Sequence, residues 1–225
     1  NENTYNIDPA HVEKLTTERT KAVVAVDFTG QSVELDRLLT HCREHNLVLI
    51  EDGAHVIGTS YKGRMNGSIA DMTTMSFHPV KTVTGGEGGA VLTNSKEYYE
   101  KLLLYRAHGI TRDPKLMEHE PDGPWYYEQI ALGMNYRMTD MQAALIISQL
   151  NKLPRFMERR KAIVKAYNEA FSRLPQLFVQ QEIPESDTTR HLYILRIRPE
   201  KLTIDRKQFF EALAAENICC NVHYI

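Results

Sequence analysis

Cysteine is scarce in this 225-residue chain: three occur, Cys42, Cys219 and Cys220, the last two adjacent. That excludes a disulfide-stapled secreted scaffold, and a reducing compartment, with cytoplasm as the default, is expected. Long apolar runs are also missing, none approaching the ~18 residues that cross a bilayer. The opening residues, NENTYNIDPAHVEK, lack the charged-then-apolar layout of a secretory signal, so no membrane partner is expected. Neither sign of charge dominates, since 27 Lys and Arg stand against 29 Asp and Glu, a net charge of −2. The basic footprint of a nucleic-acid binder is absent, and an anionic ligand has to be held by local groups. Internal repeats and low-complexity segments are missing too. The chain does not begin with Met and stops inside what reads as a strand, so it is expected to be a fragment of a longer protein.

What is present is an alternation of apolar strands and amphipathic helices. At this length about 70% of the unfolded surface can be buried, enough for a sizeable core. Asp8-Pro9 starts a short helix with Val12 and Leu15 at helical spacing. KAVVAVD at 21–27 reads as a strand buried on both faces. Leu35, Leu38, Leu39 and Cys42 then form one helical stripe, with Ser32 as candidate cap. The next buried strand, 47–50, ends at Glu51-Asp52. Strand, helix and strand with short connections predict a βαβ unit in a mostly parallel sheet, whose ligands gather at the carboxyl ends of the strands. Residues 53–67 read as a loop or hairpin turning at Lys62-Gly63. Ser95 caps a helix with Tyr98, Leu102 and Tyr105 on one stripe. Residues 111–132, with Pro114, Pro121, Pro124 and the single tryptophan, Trp125, read as a long surface loop. Thr139-Asp140 caps a helix over 141–150, and Pro154 opens a long one carrying Phe156, Ile163, Tyr167 and Phe171. Beyond it, 191–198 reads as a half-buried strand, 204–216 as a helix, and 218 onward as another strand with Cys219-Cys220 packed in it.

The stretch 71–94 gathers the chemistry. A β-rich approach breaks at Pro79, Lys81 follows, and Gly85-Gly86-Glu87-Gly88-Gly89 leads into a second apolar run, so one amine sits on a bend beside glycines. Alone, a lysine is most often a solvated surface charge, and Asp52 at a strand end a turn or cap residue. Together they suit a carbonyl–amine enzyme with an organic electron sink. Such an enzyme needs an amine nucleophile, an acid for a pyridine nitrogen and donors for a phosphate, which Lys81, Asp52 and the Ser76 region could supply. His41, Cys42 and His45 share a helix, but Cys42 belongs to the apolar stripe and no second ligand pair appears, so no metal site is expected.

The runs EDGAH at 51–55, SFHPVK at 76–81, GEGGAV at 86–91 and LGMNYRMTDMQAA at 132–144 resemble the DegT/DnrJ/EryC1/StrS sugar aminotransferases, over Tyr5 to Tyr224. The resemblance implies an α/β protein of the type I aspartate-aminotransferase fold that uses pyridoxal 5′-phosphate. Residues 1–150 would then be most of the cofactor-binding large domain, and 151–225 a linking helix and the start of a smaller α+β domain. It also implies that Lys81 binds the cofactor and shuttles the proton, that Asp52 pairs with the pyridine nitrogen, that His55 lies near the ring and that Ser76 meets the phosphate. Asn135 would serve the neighbouring subunit's cofactor, making a homodimer with shared sites, and Arg137 is a candidate on the substrate side. Partners would be an amino donor, glutamate, and a nucleotide-linked 4-keto deoxysugar. The family's helix-start phosphate site and ring-stacking aromatic lie upstream of residue 1. Gly53 and Met134 depart from the family's usual alanine and tyrosine. A dehydratase of the same family places histidine where Lys81 stands, so the lysine favours transamination over dehydration, and intact site residues disfavour a binding module without catalysis.

Overall fold

The computed structural model describes residues 1–223. Helix α1 (Pro9–Leu15) starts as expected, with Asp8 accepting a hydrogen bond from the Ala10 amide, but Leu15 on it is exposed. Strand β1 (Ala22–Val26) leads through a 3-10 turn (Phe28–Gly30) to α2 (Leu35–Glu44) and back into β2 (Val48–Asp52), parallel to β1. This is the expected βαβ order. Ser32 does not cap α2. Its hydroxyl donates to the Val33 carbonyl, and the residue at the cap is Glu34, which makes no side-chain cap bond.

Hairpin β3 (Ser60–Tyr61) to β4 (Arg64–Met65) turns at Lys62 and Gly63, both with positive φ, the geometry of a tight two-residue hairpin turn. Next come β5 (Met72–Ser76), parallel to β2, and β6 (Gly89–Leu92), antiparallel to β5 at the sheet's edge. The main sheet thus runs β1-β2-β5-β6. Its core packs Val23, Ala25, Leu47 and Leu49 against Leu35, Leu38 and Cys42. Only one face of β1 is buried, since Val24 is 58% and Val26 43% exposed. No described residue covers that face, so the strand shows alternation where burial on both sides was expected.

Helix α3 (Lys96–Arg106) is capped by Ser95, and β7 (Ile110–Thr111) pairs with β8 (Glu128–Gln129) across the expected surface loop, where Trp125 is exposed. Helix α4 (Asp140–Leu150) starts with a capping box in which Thr139 and Gln142 bond each other's backbone. Helix α5 (Leu153–Phe171) follows with Pro154 in its first turn. Its Tyr167 and Phe171 rings pack on each other at 5.3 Å, and Tyr193 lies 5.1 Å from Tyr167. The chain continues through β9 (Leu177–Val179), β10 (Ser186–Asp187), β11 (Leu195–Ile197), which pairs with β9, and α6 (Arg206–Ala215). The strand expected over 191–198 is only β11, because 190–192 is drawn instead onto the first part of the chain. Residues 218–223 are not strand, Cys219 and Cys220 are exposed, and Tyr224 and Ile225 of the expected strand lie outside the described residues.

Segment 180–192 runs along the first part of the chain. The Thr29 hydroxyl donates to Gln180, Ser186 accepts from the Ser32 amide, the Thr188 hydroxyl donates to the Gly30 carbonyl, and the Leu192 amide donates to the Thr29 carbonyl. Strand β10 also extends the hairpin sheet by pairing with β3. Residues expected in a smaller C-terminal unit thus reach the carboxyl edge of the main sheet.

Beneath that edge lies a fully buried polar network. Asn66 donates to Glu51 at 2.6 Å and to Ser32 at 2.9 Å, Thr73 and the Gly67 amide donate to Glu51, and Asp27 accepts from the Val33 amide at 2.7 Å. Burial, then the Glu51 carboxyl, pushes the Asp27 carboxyl well above its ordinary range, so Asp27 holds a proton against Glu51. A carboxyl raised on folding contributes stability that is full below the unfolded value and lost as pH rises through the folded one. Asp27→Asn keeps an oxygen for Val33 and a donor for Glu51. It is expected to raise the thermal midpoint at pH 8 by on the order of a few °C, a gain that shrinks toward pH 4 in calorimetric scans; equal or lower stability at pH 8 contradicts the shared proton.

Candidate active site

Two strand ends and two turns build the site. At the end of β2, Asp52 accepts a hydrogen bond from the Ala54 amide at 3.2 Å, and the 53–56 turn that carries His55 closes with the Val56 amide on the Gly53 carbonyl. Gly53 fits tightly here: a Cβ would stand 2.8 Å from Thr73 Cγ2 and 3.0 Å from the Thr74 carbonyl oxygen. At the end of β5, the chain turns after Phe77 and returns through Val83, both buried, and these two anchors hold Lys81 between them. The Lys81 amide donates to the His78 carbonyl at 3.0 Å, and the Gly85 amide and Thr84 hydroxyl both reach the Phe77 carbonyl. The glycines shape this turn, with positive φ at Gly86 and Gly88, as the sequence suggests.

Lys81 is half-buried, and so are Asp52 and His55. Burial lowers the Lys81 ammonium below the usual lysine value, and Asp52 opposes this without reversing it. His55 is pushed down to about 4, first by burial and then by the Lys81 charge, with Asp52 again opposing. Among the described residues nothing hydrogen-bonds its buried Nδ1. Lys81, Asp52 and His55 are therefore electrostatic neighbours, as the sequence pattern suggests.

Three further groups join them that the sequence reading missed. The His191 ring lies 4.6 Å from that of His55, and Phe28 lies 6.1 Å from His55 and 5.6 Å from His223. His191 is pushed down to about 3 by burial, then His55 and Lys81, and His223 is lowered by burial and then Lys81. Thr82 and His191 are 109 positions apart, and no local pattern links them; the Asp27-Phe28-Thr29-Gly30 strand end was the one available hint for Phe28.

Ser76 is half-buried at the end of β5, and its hydroxyl faces the His78 amide at 3.4 Å. Asn135 and Arg137 are exposed. Asn135 bridges to Ala107 at the end of α3 and takes no part in the hydrogen bonds and ring contacts that tie the Lys81 cluster together. His41 and His45 stack at 4.3 Å, but His41 Nε2 is held by Thr16 at 2.7 Å, and no group of three or more metal-ligating side chains occurs among the described residues.

The sequence profile of the DegT/DnrJ/EryC1/StrS aminotransferase family matches residues 1–225, and the chain belongs to that family. It is 37% identical, over 225 residues, to a UDP-4-amino-4,6-dideoxy-N-acetyl-beta-L-altrosamine transaminase of Campylobacter jejuni, covering 99% of the chain and 57% of that relative. Among solved structures it resembles Helicobacter pylori PseC, an aminotransferase of pseudoaminic acid biosynthesis (TM-score 0.89, 34% identity, 99% of this chain and 57% of that one). It also resembles the Escherichia coli GDP-4-keto-6-deoxy-D-mannose-3-dehydratase with bound hydrated PLP (TM-score 0.88, 29% identity, 98% and 58%). The chain thus spans under two thirds of the length of these relatives. Together they bear out the expected α/β fold of pyridoxal-phosphate sugar aminotransferases.

With folded values near 4 and 3, His55 and His191 are neutral at physiological pH. Both lie below the ordinary value of about 6.5, so stability is present above that pH and lost as pH falls through the folded values. In a pH series followed by imidazole NMR signals, two histidines are expected not to titrate between pH 5 and 8, and chemical denaturation to show stability falling below pH 6.5. Ordinary titration of every histidine contradicts the desolvated cluster.

Proposed function

We propose that the protein carrying this chain is a pyridoxal 5′-phosphate-dependent aminotransferase. It moves an amino group from an amino acid, glutamate, to the C4 keto group of a nucleotide-linked deoxysugar. The observation that carries this reading is the half-desolvated amine of Lys81 at the carboxyl edge of a mostly parallel sheet, with Asp52 and His55 beside it. The names of the transaminase relatives support the substrate class.

The residues present suit the cofactor. An unpartnered buried Nδ1 on His55 awaits a polar group, and a lysine with a lowered ammonium value has more free amine at neutral pH than a solvated one. When bound, pyridoxal phosphate supplies a carbonyl for an amine and a ring that takes up the electron pair of a breaking C–H bond. Lys81 provides the amine and, once released, accepts and returns a proton at Nζ, so one residue serves both half-reactions. Asp52 would pair with the ring nitrogen, and His55 would lie near the ring. Ser76 offers a hydroxyl to the phosphate, and Arg137 a cation to the substrate. Phe77 and Val83 anchor the turn that carries Lys81.

Asn135 acts in this reading from a neighbouring subunit. Exposed apolar side chains on α4 support a homodimer: Met141 and Ile147 are 82% and 60% exposed, Leu145 and Leu150 are also exposed, on more than one side of the helix, and Tyr136 next to Asn135 is 74% exposed. The likeness to a dehydratase gives the second reading, a pyridoxamine-dependent sugar dehydratase, and Lys81 counts against it. Among the described residues no helix is long and apolar enough to cross a membrane.

Lys81→Ala is expected to cost at least ~10³-fold in amination of a nucleotide 4-ketosugar panel and to abolish the absorbance of lysine-bound cofactor. Retained turnover in coupled assays contradicts the assignment, and dehydration of the sugar without amination favours the second reading. Mixing Lys81→Ala with Asn135→Ala subunits is expected to restore one complete site per hybrid dimer, measured as activity regained after co-refolding. No gain over the parents argues that the sites are not shared.

A further inference from the structure

We infer that His191, held in place by Arg160, is a positioning residue that props the His55 ring and keeps water away from the Lys81 amine. The inference rests on Lys81 being the cofactor's amine. His191 sits on a segment that reaches the site from the far part of the chain and is fastened at several points. Arg160 on α5 donates through Nη1 to the Arg190 carbonyl at 3.0 Å and the His191 carbonyl at 3.1 Å. The Thr189 hydroxyl donates to the His55 carbonyl at 3.1 Å, its amide donates to the Thr59 hydroxyl at 3.0 Å, and the Leu192 amide holds the Thr29 carbonyl. Gly30 lets the segments close: a Cβ there would stand 2.7 Å from the Thr189 hydroxyl and 2.9 Å from the His191 nitrogen. Arg190, buried with φ 54 and paired with Glu182, keeps a left-handed backbone that an ordinary residue avoids.

From this base the His191 ring projects to the site. It packs against His55 with ring centres 4.6 Å apart and planes tilted by 40°, and its Nδ1 lies 3.5 Å from the hydroxyl of Thr82, the residue after Lys81. The charged and titratable groups around Lys81 are Asp52, His55, His191 and His223, with Arg160 behind His191. His55 and His191 carry no charge at neutral pH, so what His191 contributes is bulk and orientation. Removing that bulk readmits water to the amine and frees the His55 ring to turn.

The rate at which cofactor-free full-length protein captures pyridoxal 5′-phosphate, followed by absorbance against pH, reports the free-amine fraction of Lys81. His191→Ala and Arg160→Met are both expected to raise the midpoint of that profile by about one pH unit, slowing capture at pH 7 about tenfold. Arg160→Lys, which keeps a donor for the two carbonyls, is expected to restore most of it. A lower melting temperature with an unmoved midpoint means His191 only packs, and overturns the inference. If His191→Ala does not fold, Arg160→Met decides the matter by the same two readouts. Wild-type protein that captures no cofactor through Lys81 overturns both this inference and the functional reading, whereas normal wild-type capture with unshifted variants overturns this one alone.

Discussion

An ammonium group drawn partly out of water loses hydration that a single carboxylate does not fully replace, and at Lys81 the loss outweighs the attraction of Asp52. Much of the site's electrostatics is consistent with that balance. Burial lowers His55, His191 and His223 first of all, and the charged amine beside them acts in the same direction. Neutral rings in turn add no repulsion to the amine. The result is a cluster of one amine, one carboxyl and histidine rings shifted toward their neutral form, which suits the proposed proton transfer at a carbon next to nitrogen.

The two carboxylates at the end of β2 show how the sheet sorts these roles. Glu51 and Asp52 are neighbours in sequence, so strand geometry sends them to opposite faces. Glu51 goes fully inside, where Asn66, Thr73 and the Gly67 amide hold it and Asp27 shares its proton. Asp52 goes to the half-buried edge, where it can act on a ligand. The inner network ties β2, β5 and the β3–β4 hairpin together beneath the site, so the edge on which Asp52 stands is rigid.

The parts of the fold that were legible were those written in local patterns. The apolar strands, the caps at Asp8, Ser95 and Thr139, the Lys62-Gly63 turn and the glycines after Lys81 all use short-range chemistry. Asp52 was legible because it closes a strand, and Lys81 because it sits on a bend between two strand-like runs, beside glycines. What was not legible is what tertiary contact decides. The exposed face of β1 carries Val24 and Val26, which composition alone reads as buried. His191 lies where alternation suggests a strand, yet the Leu192 amide donates to the Thr29 carbonyl and Arg160 donates to the His191 carbonyl, which draws that backbone away from pairing. Asn135 bears its assigned role only through the family likeness, for nothing in its own chain directs it to Lys81.

Backbone strain also occurs where segment 180–192 meets the first part of the chain. Thr29, fully buried with φ 67, and Arg190, with φ 54, are non-glycine residues in the left-handed region. For a β-branched threonine that conformation is a true outlier, and such residues cost on the order of 1–3 kcal/mol each. Both persist because they are over-determined. Thr29 bonds Gln180 through its hydroxyl and Leu192 through its carbonyl, and Arg190 is held by Arg160, Thr188 and Glu182. Relaxing either residue would shift the backbone that carries Phe28 or His191, and with it the walls around His55. These two strained residues therefore sit beside the elements that carry Phe28 and His191, the rings packed around His55.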